Sequence, residues 1–257
     1  MLIFSTDKKR LLEHFEKDRV LFAYHIGDLD DFFFEHCQWA VDYEERAHVL
    51  EVVLIYSGGD TPVVLALGLT ERFAPFLNSL MDLLPARFFC HFRAESRPQL
   101  QKQYRESSFG TLRRMKLGNF NLQPDDERIR RLKPSDVNRV RQLYHRAYPE
   151  CYFTPRMLET GKYFGYEEGG RLLAVAGIHV NSDEHKMAVL GSIATDPDVR
   201  GRGLGTLVTS KLIADLDPSS RTICLNVKND NLPALRSYEK LGFEPVYEFE
   251  ESLFDLI

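Results

Sequence analysis

The feature that most constrains this chain is a glycine-rich turn between a strand-like run and an amphipathic helix. The strand-like run is Met187–Thr195, and the helical pattern extends from Gly203 to Leu216. Gly201, Gly203 and Gly205 lie at the junction. Glycines at a helix start let a ligand approach the backbone, and the first N–H groups of a helix have no intrahelical partner. The turn is therefore a candidate phosphate site.

Two better-known phosphate motifs fit this turn poorly. A dinucleotide-binding fingerprint would have glycine where Thr206 stands, and a P-loop would have Lys and then Ser or Thr directly after its last glycine. Arg200 and Arg202 add positive charge beside the turn. From the turn alone, a plain connection into a surface helix stays an alternative interpretation.

A second pattern lies one strand farther along the chain. The strand-like run Thr222–Val227 leads to a short helix that begins after Asn231, contains Pro233 in its first turn and ends at Gly242. Such a helix is ordinary by itself. Its position, one strand after the glycine-rich helix, is the informative observation.

Hydrophobic periodicity predicts the remaining elements. In the first half it predicts helices over 11–22 and 73–84 and strands over 37–41, 49–56, 62–67, 86–92 and 111–117, and the polar stretch 98–106 is also expected to be helical. In the second half it predicts strands over 129–132, 171–180 and 245–253 and helices over 134–147 and 233–241.

The two patterned segments together resemble the GNAT superfamily of N-acetyltransferases. Residues 200–205 match the acyl-CoA loop Arg/Gln-x-x-Gly-x-Gly/Ala in full. The pattern Asn-x-x-Ala-x-x-x-Tyr-x-x-x-Gly-Phe is matched by Asn231, Ala234, Tyr238, Gly242 and Phe243. The match extends from about Arg128 to the C-terminus. The first half has neither motif and is similar to the non-catalytic half of tandem members, including the glycine N-acyltransferase-like group.

The resemblance implies an α/β (α+β) chain with a GNAT fold in its C-terminal half, where helices cover both faces of a mixed sheet. The expected domains are residues 1–120, a smaller, non-catalytic α+β domain that is degenerate GNAT-like, and residues 121–257, the acyltransferase domain. The polar segment Gly118–Glu127 is typical of a linker. The element order before it loosely repeats after it, although no residue-level repeat supports a duplication.

The resemblance also implies how the donor, acetyl-CoA or another acyl-CoA, is bound. The loop backbone would bind the pyrophosphate, and the preceding strand would pair with the pantetheine arm and polarise the acyl carbonyl. Tyr238 matches the general acid that protonates the departing CoA thiolate, and its alternative role is a core aromatic. The implied donor-binding residues are Ile193, Ala194, Thr195, Arg200, Gly201, Arg202, Gly203, Leu204, Gly205, Thr206, Asn226, Asn231 and Ala234.

The general base departs from the family pattern, because Met187–Thr195 contains no acidic residue. His179, near the end of the preceding strand, is the catalytic candidate, and His145 and Tyr152 are alternatives. His179 also fits a core histidine. A base that acts through water, or no base at all, stays open.

The acceptor is selected in this fold by the segment between the first two strands, here residues 144–163. This segment is rich in aromatic side chains, including Tyr152, and contains Arg156, whose guanidinium suits a carboxylate. The expected acceptor is therefore a small-molecule amine or amino acid that attacks directly in a ternary complex. In the alternative interpretation, the aromatics form core and Arg156 is a surface charge.

Composition limits the other partners. The net charge of -5 and the pI of about 5.9 argue against nucleic-acid binding. No apolar run is long enough to cross a bilayer, so no membrane partner is expected. The four cysteines have no CxxC spacing, so no metal is expected. Free thiols and the N-terminal sequence favour a cytoplasmic enzyme.

Another class of function competes with the enzyme. A catalytically inactive CoA-binding sensor or scaffold would explain the missing strand glutamate. The N-terminal half is alternatively a docking or dimerisation module, which makes a homodimer one expected state. The aromatic run Phe32–Phe34 near Trp39 would then form an interface, although buried core is the better interpretation.

Overall fold

The computed structural model describes residues 2–43 and 49–257. The chain divides into two compact units. Unit 1 consists of Met1–Arg114 and Tyr247–Ile257, and unit 2 consists of Met115–Val246. The division into domains 1–120 and 121–257 stays a prediction, since compactness alone does not show which segments fold independently.

Unit 1 contains β-strands and short helices in alternation. Its strands are β1 (Leu2–Ser5), β2 (Cys37–Tyr43), β3 (Val49–Tyr56), β4 (Val63–Ala66), β5 (Arg87–Phe92) and most of β6 (Tyr104–Leu117). Its helices are α1 (Lys8–Phe15), α2 (Ala23–Gly27), α3 (Asp31–Phe34), α4 (Phe73–Ser79) and α5 (Arg97–Leu100).

Unit 2 has longer helices between its strands. The strands are β7 (Ile129–Arg131), β8 (Phe164–Glu168), β9 (Arg171–Ser182), β10 (Met187–Thr195), β11 (Thr222–Lys228) and the beginning of β12 (Phe243–Leu256). The helices are α6 (Val137–Ala147), α7 (Leu204–Asp215) and α8 (Leu232–Leu241).

Both units pair their strands in the same order and directions. In unit 1, β1 to β4 pair antiparallel in sequence, and β4 pairs with β5 in parallel. In unit 2, β7 to β10 pair antiparallel, and β10 pairs with β11 in parallel. The end of β12 pairs with β5, which is why residues 247–257 belong to unit 1. The shared topology confirms the similarity of the two halves that the sequence indicates only loosely.

The core of unit 2 determines where the glycine-rich turn lies. Helix α7 buries Leu204, Val208 and Leu212, as its apolar spacing predicts. It also buries Thr206, Thr209 and Ser210, so its burial is not confined to one apolar stripe. The three apolar side chains join a single cluster with the buried residues of the sheet. Because α7 is fixed on the sheet, the turn that precedes it is held at the end of β10.

Two predicted helices are wrong. The helix expected over 11–22 ends at Phe15, because the carboxylate of Asp18 accepts from the backbone N–H groups of Val20 and Leu21, at 3.2 and 2.9 Å. The helix expected over 98–106 reaches only Leu100. Residue Tyr104 instead begins β6, and its hydroxyl donates to buried backbone carbonyls.

The aromatic run of unit 1 is mainly core. Phe33 and Trp39 are buried, and the ring of Phe34 stacks on Trp39 at 6.1 Å. Homodimer formation stays a prediction. All four cysteines are free thiols; Cys90 and Cys224 are buried, whereas Cys37 and Cys151 are half-buried. None of the helices within 2–43 and 49–257 has the length and apolar character needed to cross a membrane.

Candidate active site

Two parallel strands of unit 2 separate at the end where the site lies. β10 and β11 are paired from Met187↔Thr222 to Leu190↔Leu225. Both strands continue, to Thr195 and Lys228, without further pairing to each other within the described residues. The backbone of Ile193–Thr195 therefore has no strand partner on the side toward β11. A ligand can pair with backbone exposed in this way.

Bulges shape the strands next to this opening. The register of β9 and β10 shifts between Val189 and Leu190 and again between Gly191 and Ala194. Ser192 lies in the second bulge with a positive φ of 54°, which is rare for a residue other than glycine. The hydroxyl of Tyr144 donates to the carbonyl of Ser192 at 2.7 Å. Bulges and strained residues of this kind are enriched at functional sites.

The glycine-rich turn follows β10 directly. Asp196 begins it by accepting a hydrogen bond from the backbone N–H of Asp198 at 3.1 Å. Gly201 and Gly203 have φ angles of +82° and +78°, and a Cβ added at either would meet no atom within 4 Å. Gly203 is also the N-cap of α7. An open backbone surface therefore faces outward beside the unpaired N–H groups of a helix, which suits a phosphate.

The two arginines beside the turn, Arg200 and Arg202, have different hydrogen-bond partners. Arg202 forms two hydrogen bonds with Glu168, both 3.0 Å long, so its charge is neutralised locally. Arg200 donates to the carbonyl of Ala147 at 3.1 Å and forms no ion pair with any carboxylate that the structure describes. Of the two predicted arginines, Arg200 is thus better suited to attract an anion.

The start of the turn is fixed by a buried carboxylate. Asp196 is 2% exposed and lies 3.1 Å from both Arg146 and Arg171. Arg146 also contacts Asp198 at 2.8 Å. These ion pairs tie the turn to α6 and β9, so the glycines that follow are held in place.

Helix α8 carries the predicted general acid. The side chain of Asn231 caps the helix by accepting from the N–H of Ala234 at 3.2 Å. Tyr238 is 8% exposed, and its hydroxyl forms no hydrogen bond within the described part of the chain. Burial raises the pKa of Tyr238 well above its usual value. The phenol therefore keeps its proton at neutral pH and can donate it.

The predicted base lies against the bulge of β10. His179 Nε2 is 3.4 Å from Ser192 Oγ, and the rings of His179 and Tyr152 meet edge to face at 6.4 Å. A Cβ added at Gly191 would lie 2.1 Å from the His179 ring, so this glycine makes room for it. The structure thus brings together His179 and Tyr152, two residues that the sequence separates. The alternative base His145 is exposed on α6.

The segment predicted to select the acceptor contacts the end of β11. Lys228, the last residue of β11, is 3.7 Å from Glu150, which follows α6. Tyr144, Phe153 and Tyr163 pack ring against ring at 5.2 and 5.9 Å. Tyr144 and Tyr163 are buried, so they form core. Arg156 is half-buried on the 3₁₀ segment Pro155–Thr160.

Asn226 lies just past the last paired residue of β11, on the separated part of that strand. Ser192 is the residue that sequence reasoning missed. A serine inside a strand-like run is ordinary, and nothing in the sequence signals a positive φ there. Within residues 2–43 and 49–257, no three His, Cys, Asp or Glu side chains are grouped to hold a metal ion.

Comparison with known proteins agrees with this geometry. Residues 132–243 match the model of the acetyltransferase (GNAT) family. The ribosomal protein bS18-alanine N-acetyltransferase of Escherichia coli is 32% identical over 120 residues, which cover 45% of this chain and 79% of that protein.

Mycothiol acetyltransferase of Mycobacterium leprae is 38% identical over 80 residues, which cover 29% of this chain and only 26% of the relative. A tandem GNAT protein from the clavulanic acid biosynthesis pathway has the same fold, with a TM-score of 0.59 at 12% identity. That likeness covers 98% of each chain.

Proposed function

Because this chain belongs to the acetyltransferase (GNAT) family, we propose that it transfers the acetyl group of acetyl-CoA to the primary amine of a small molecule or amino acid. The observation that carries the proposal is the separation of β10 and β11 beyond Leu190 and Leu225, with the glycine-rich turn at the open end. One segment then holds both the pantetheine arm and the pyrophosphate of the donor. The backbone of Ile193–Thr195 pairs with the pantetheine arm, and the turn binds the pyrophosphate.

The turn fits a pyrophosphate for two physical reasons. Gly201 and Gly203 leave the backbone open to close approach, and the first N–H groups of α7 point out of the helix toward the ligand. Arg200 adds a positive charge that is not paired with any described carboxylate. The donor supplies an acyl group activated as a thioester.

The residues around the thioester move protons and stabilise charge. The amine nitrogen bonds to the acyl carbon, and a backbone N–H of β10 stabilises the negative charge that develops on the carbonyl oxygen. As the C–S bond breaks, its electron pair goes to sulfur and Tyr238 supplies the proton. His179 takes the proton that the amine loses.

The acceptor is held by the segment after α6. Tyr152 lies against His179, so a side chain of this segment already borders the base. Arg156 on the neighbouring 3₁₀ segment pairs with the carboxylate of an amino acid acceptor. An acyl group larger than acetyl is the variant of this proposal.

Thiol release from acetyl-CoA tests this function across amino acids, polyamines and peptides with free N-termini. Wild type and Tyr238→Phe are compared, and release without amine is the control. Amine-dependent release that falls sharply in Tyr238→Phe is the expected result. A protein that binds acetyl-CoA tightly but releases no thiol from any acyl-CoA with any amine would instead be a CoA-binding sensor.

A further inference from the structure

We infer that Ser192 is a positioning residue, which holds the ring of the proposed base His179 in the tautomer with its proton on Nε2. This inference rests on the proposed function. Ser192 directly precedes Ile193, where the strand proposed to align the thioester begins. The contact between Ser192 and His179 therefore joins the proposed base to the strand that holds the acyl group.

The local backbone is built around this contact. His179 lies between the pairs Val180↔Val189 and Ile178↔Leu190, at the first register shift of β9 and β10. Ser192 lies in the next bulge, between Gly191↔Gly177 and Ala194↔Val175. Bulges re-aim side chains that a regular ladder would turn elsewhere. Two adjacent bulges here point a hydroxyl and an imidazole at each other.

Counting hydrogens gives the tautomer. The hydroxyl of Ser192 has one proton, and it donates to the carbonyl of Tyr152 at 3.2 Å, because a carbonyl can only accept. The contact of 3.4 Å between Ser192 Oγ and His179 Nε2 must then be donated by Nε2–H. A neutral imidazole with its proton on Nε2 has its basic lone pair on Nδ1.

The tautomer is measurable in the wild-type protein. We expect the ¹⁵N spectrum of neutral His179, assigned by difference from His179→Gln, to show a protonated Nε2 and an unprotonated Nδ1. A protonated Nδ1 would overturn the inference without any need for a Ser192 variant.

The kinetic test uses Ser192→Gly, because glycine removes the hydroxyl and adopts a positive φ without strain. We expect kcat to fall about tenfold with the KM for acetyl-CoA nearly unchanged. The acidic limb of the pH profile should move to lower pH, since an oxygen acceptor at Nε2 favours the imidazolium. Tyr144→Phe is the matched control: it removes the bond to the Ser192 carbonyl but keeps the hydroxyl, so its pH profile should match wild type.

Different results would refute the role of Ser192 and the proposed acetyltransferase function. An active wild type whose pH profile is unchanged in Ser192→Gly refutes the role of Ser192 and leaves the acetyltransferase standing. A wild type whose thiol release does not depend on the amine refutes both.

A second inference comes from unit 1. We infer that unit 1 binds no acyl-CoA, because the carboxylate of Glu51 occupies the backbone donors of its corresponding loop. Since both units share one strand order, residues 67–72 between β4 and α4 correspond to the glycine-rich turn between β10 and α7. Glu51 is fully buried, and it accepts from Leu69 N at 3.1 Å and from Thr70 N at 2.8 Å.

Two further contacts close the loop of unit 1. The hydroxyl of Thr70 also donates to Glu51, at 2.6 Å. Gly68 is covered as well, since an added Cβ would lie 2.0 Å from the Phe73 side chain, whereas the same atom at Gly203 meets open space. In unit 1 the Glu51 carboxylate and the Phe73 ring thus cover the loop backbone, whereas the backbone of the corresponding turn in unit 2 is open.

Isothermal titration counts the sites. We expect wild type to bind one acetyl-CoA per chain, at a site whose affinity falls in Gly203→Ala. Two sites per chain, or one site unaffected by Gly203→Ala, would overturn the inference. As a second readout, inorganic phosphate should raise the Tm of Glu51→Ala more than that of wild type, and an equal effect on both proteins would argue against an anion site under Glu51.

Discussion

Replacing Gly203 by alanine tests the donor site against a control that the chain itself provides. Gly203 has a φ of +78°, and Gly170, in the turn between β8 and β9, has a φ of +75°. A Cβ added at either position meets no atom within 4 Å. The two substitutions therefore impose the same backbone strain and differ only in where the methyl group lies.

The loss of stability should be the same in both variants. A left-handed conformation costs an L residue roughly 1–2 kcal/mol relative to glycine. In a chain of this size, each kcal/mol lowers Tm by about 2–4 °C. Gly203→Ala and Gly170→Ala should accordingly melt a few degrees below wild type and close to each other.

Of the two variants, only Gly203→Ala should bind acetyl-CoA more weakly than wild type. In the proposed complex with acetyl-CoA, its methyl group projects from the surface of the turn toward the pyrophosphate, so at least one backbone N–H would lose its phosphate oxygen. A hydrogen bond to a charged group contributes about 1.5–3 kcal/mol. The Kd for acetyl-CoA should therefore rise by at least about tenfold.

Isothermal titration with acetyl-CoA and thermal melts of the three proteins measure both quantities. The reasoning is refuted if Gly203→Ala binds acetyl-CoA as tightly as Gly170→Ala. It is also refuted if both variants lose affinity equally, since strain rather than position would then be the cause.

Three more predictions concern single residues. Tyr238→Phe should lower kcat by about a hundredfold and leave the KM for acetyl-CoA nearly unchanged in steady-state assays, because the proton for the thiolate is lost. Gly242→Ala should lower the free energy of unfolding by at least about 2 kcal/mol in urea titrations. Its Cβ would lie 1.8 Å from the Asn119 carbonyl at a φ of +98°. Burial, with Arg114 next in effect, lowers the pKa of His25 well below its usual value. The unfolded chain therefore protonates His25 at a higher pH than the folded protein does, so acid favours unfolding. The urea concentration at the unfolding midpoint should fall as the pH drops below about 6.5, and it should fall less steeply in His25→Phe.

The sequence predicts best where a local rule determines the structure. Met187–Thr195 is a strand with the predicted bounds, and α7 and α8 begin within a residue of their predicted starts. Glycine, asparagine and proline mark those ends because each has a distinct backbone requirement. The strand β8 was missed, although Gly169 and Gly170, at φ angles of +57° and +75°, are typical of a tight hairpin.

The sequence predicts least where the site depends on tertiary register. The bulges at His179 and Ser192 arise from pairing between β9 and β10, and no residue type announces them. β12 pairs with β5, a segment far from it in the chain. The linker after Leu117 can be recognised from its local composition, whereas the partner of the last strand cannot. The partners of Arg200 and Arg202, one a carbonyl and one a carboxylate, likewise follow from packing.

We propose that unit 2 transfers an acetyl group to an amine, and mass spectrometry of both products measures this transfer. With isotopically labelled acetyl-CoA, wild type and Gly170→Ala should form acetylated amine and free CoA in equal amounts, and Gly203→Ala should form far less of both at limiting donor. Free CoA without acetylated amine, or equal product from Gly203→Ala and Gly170→Ala, would contradict the proposal.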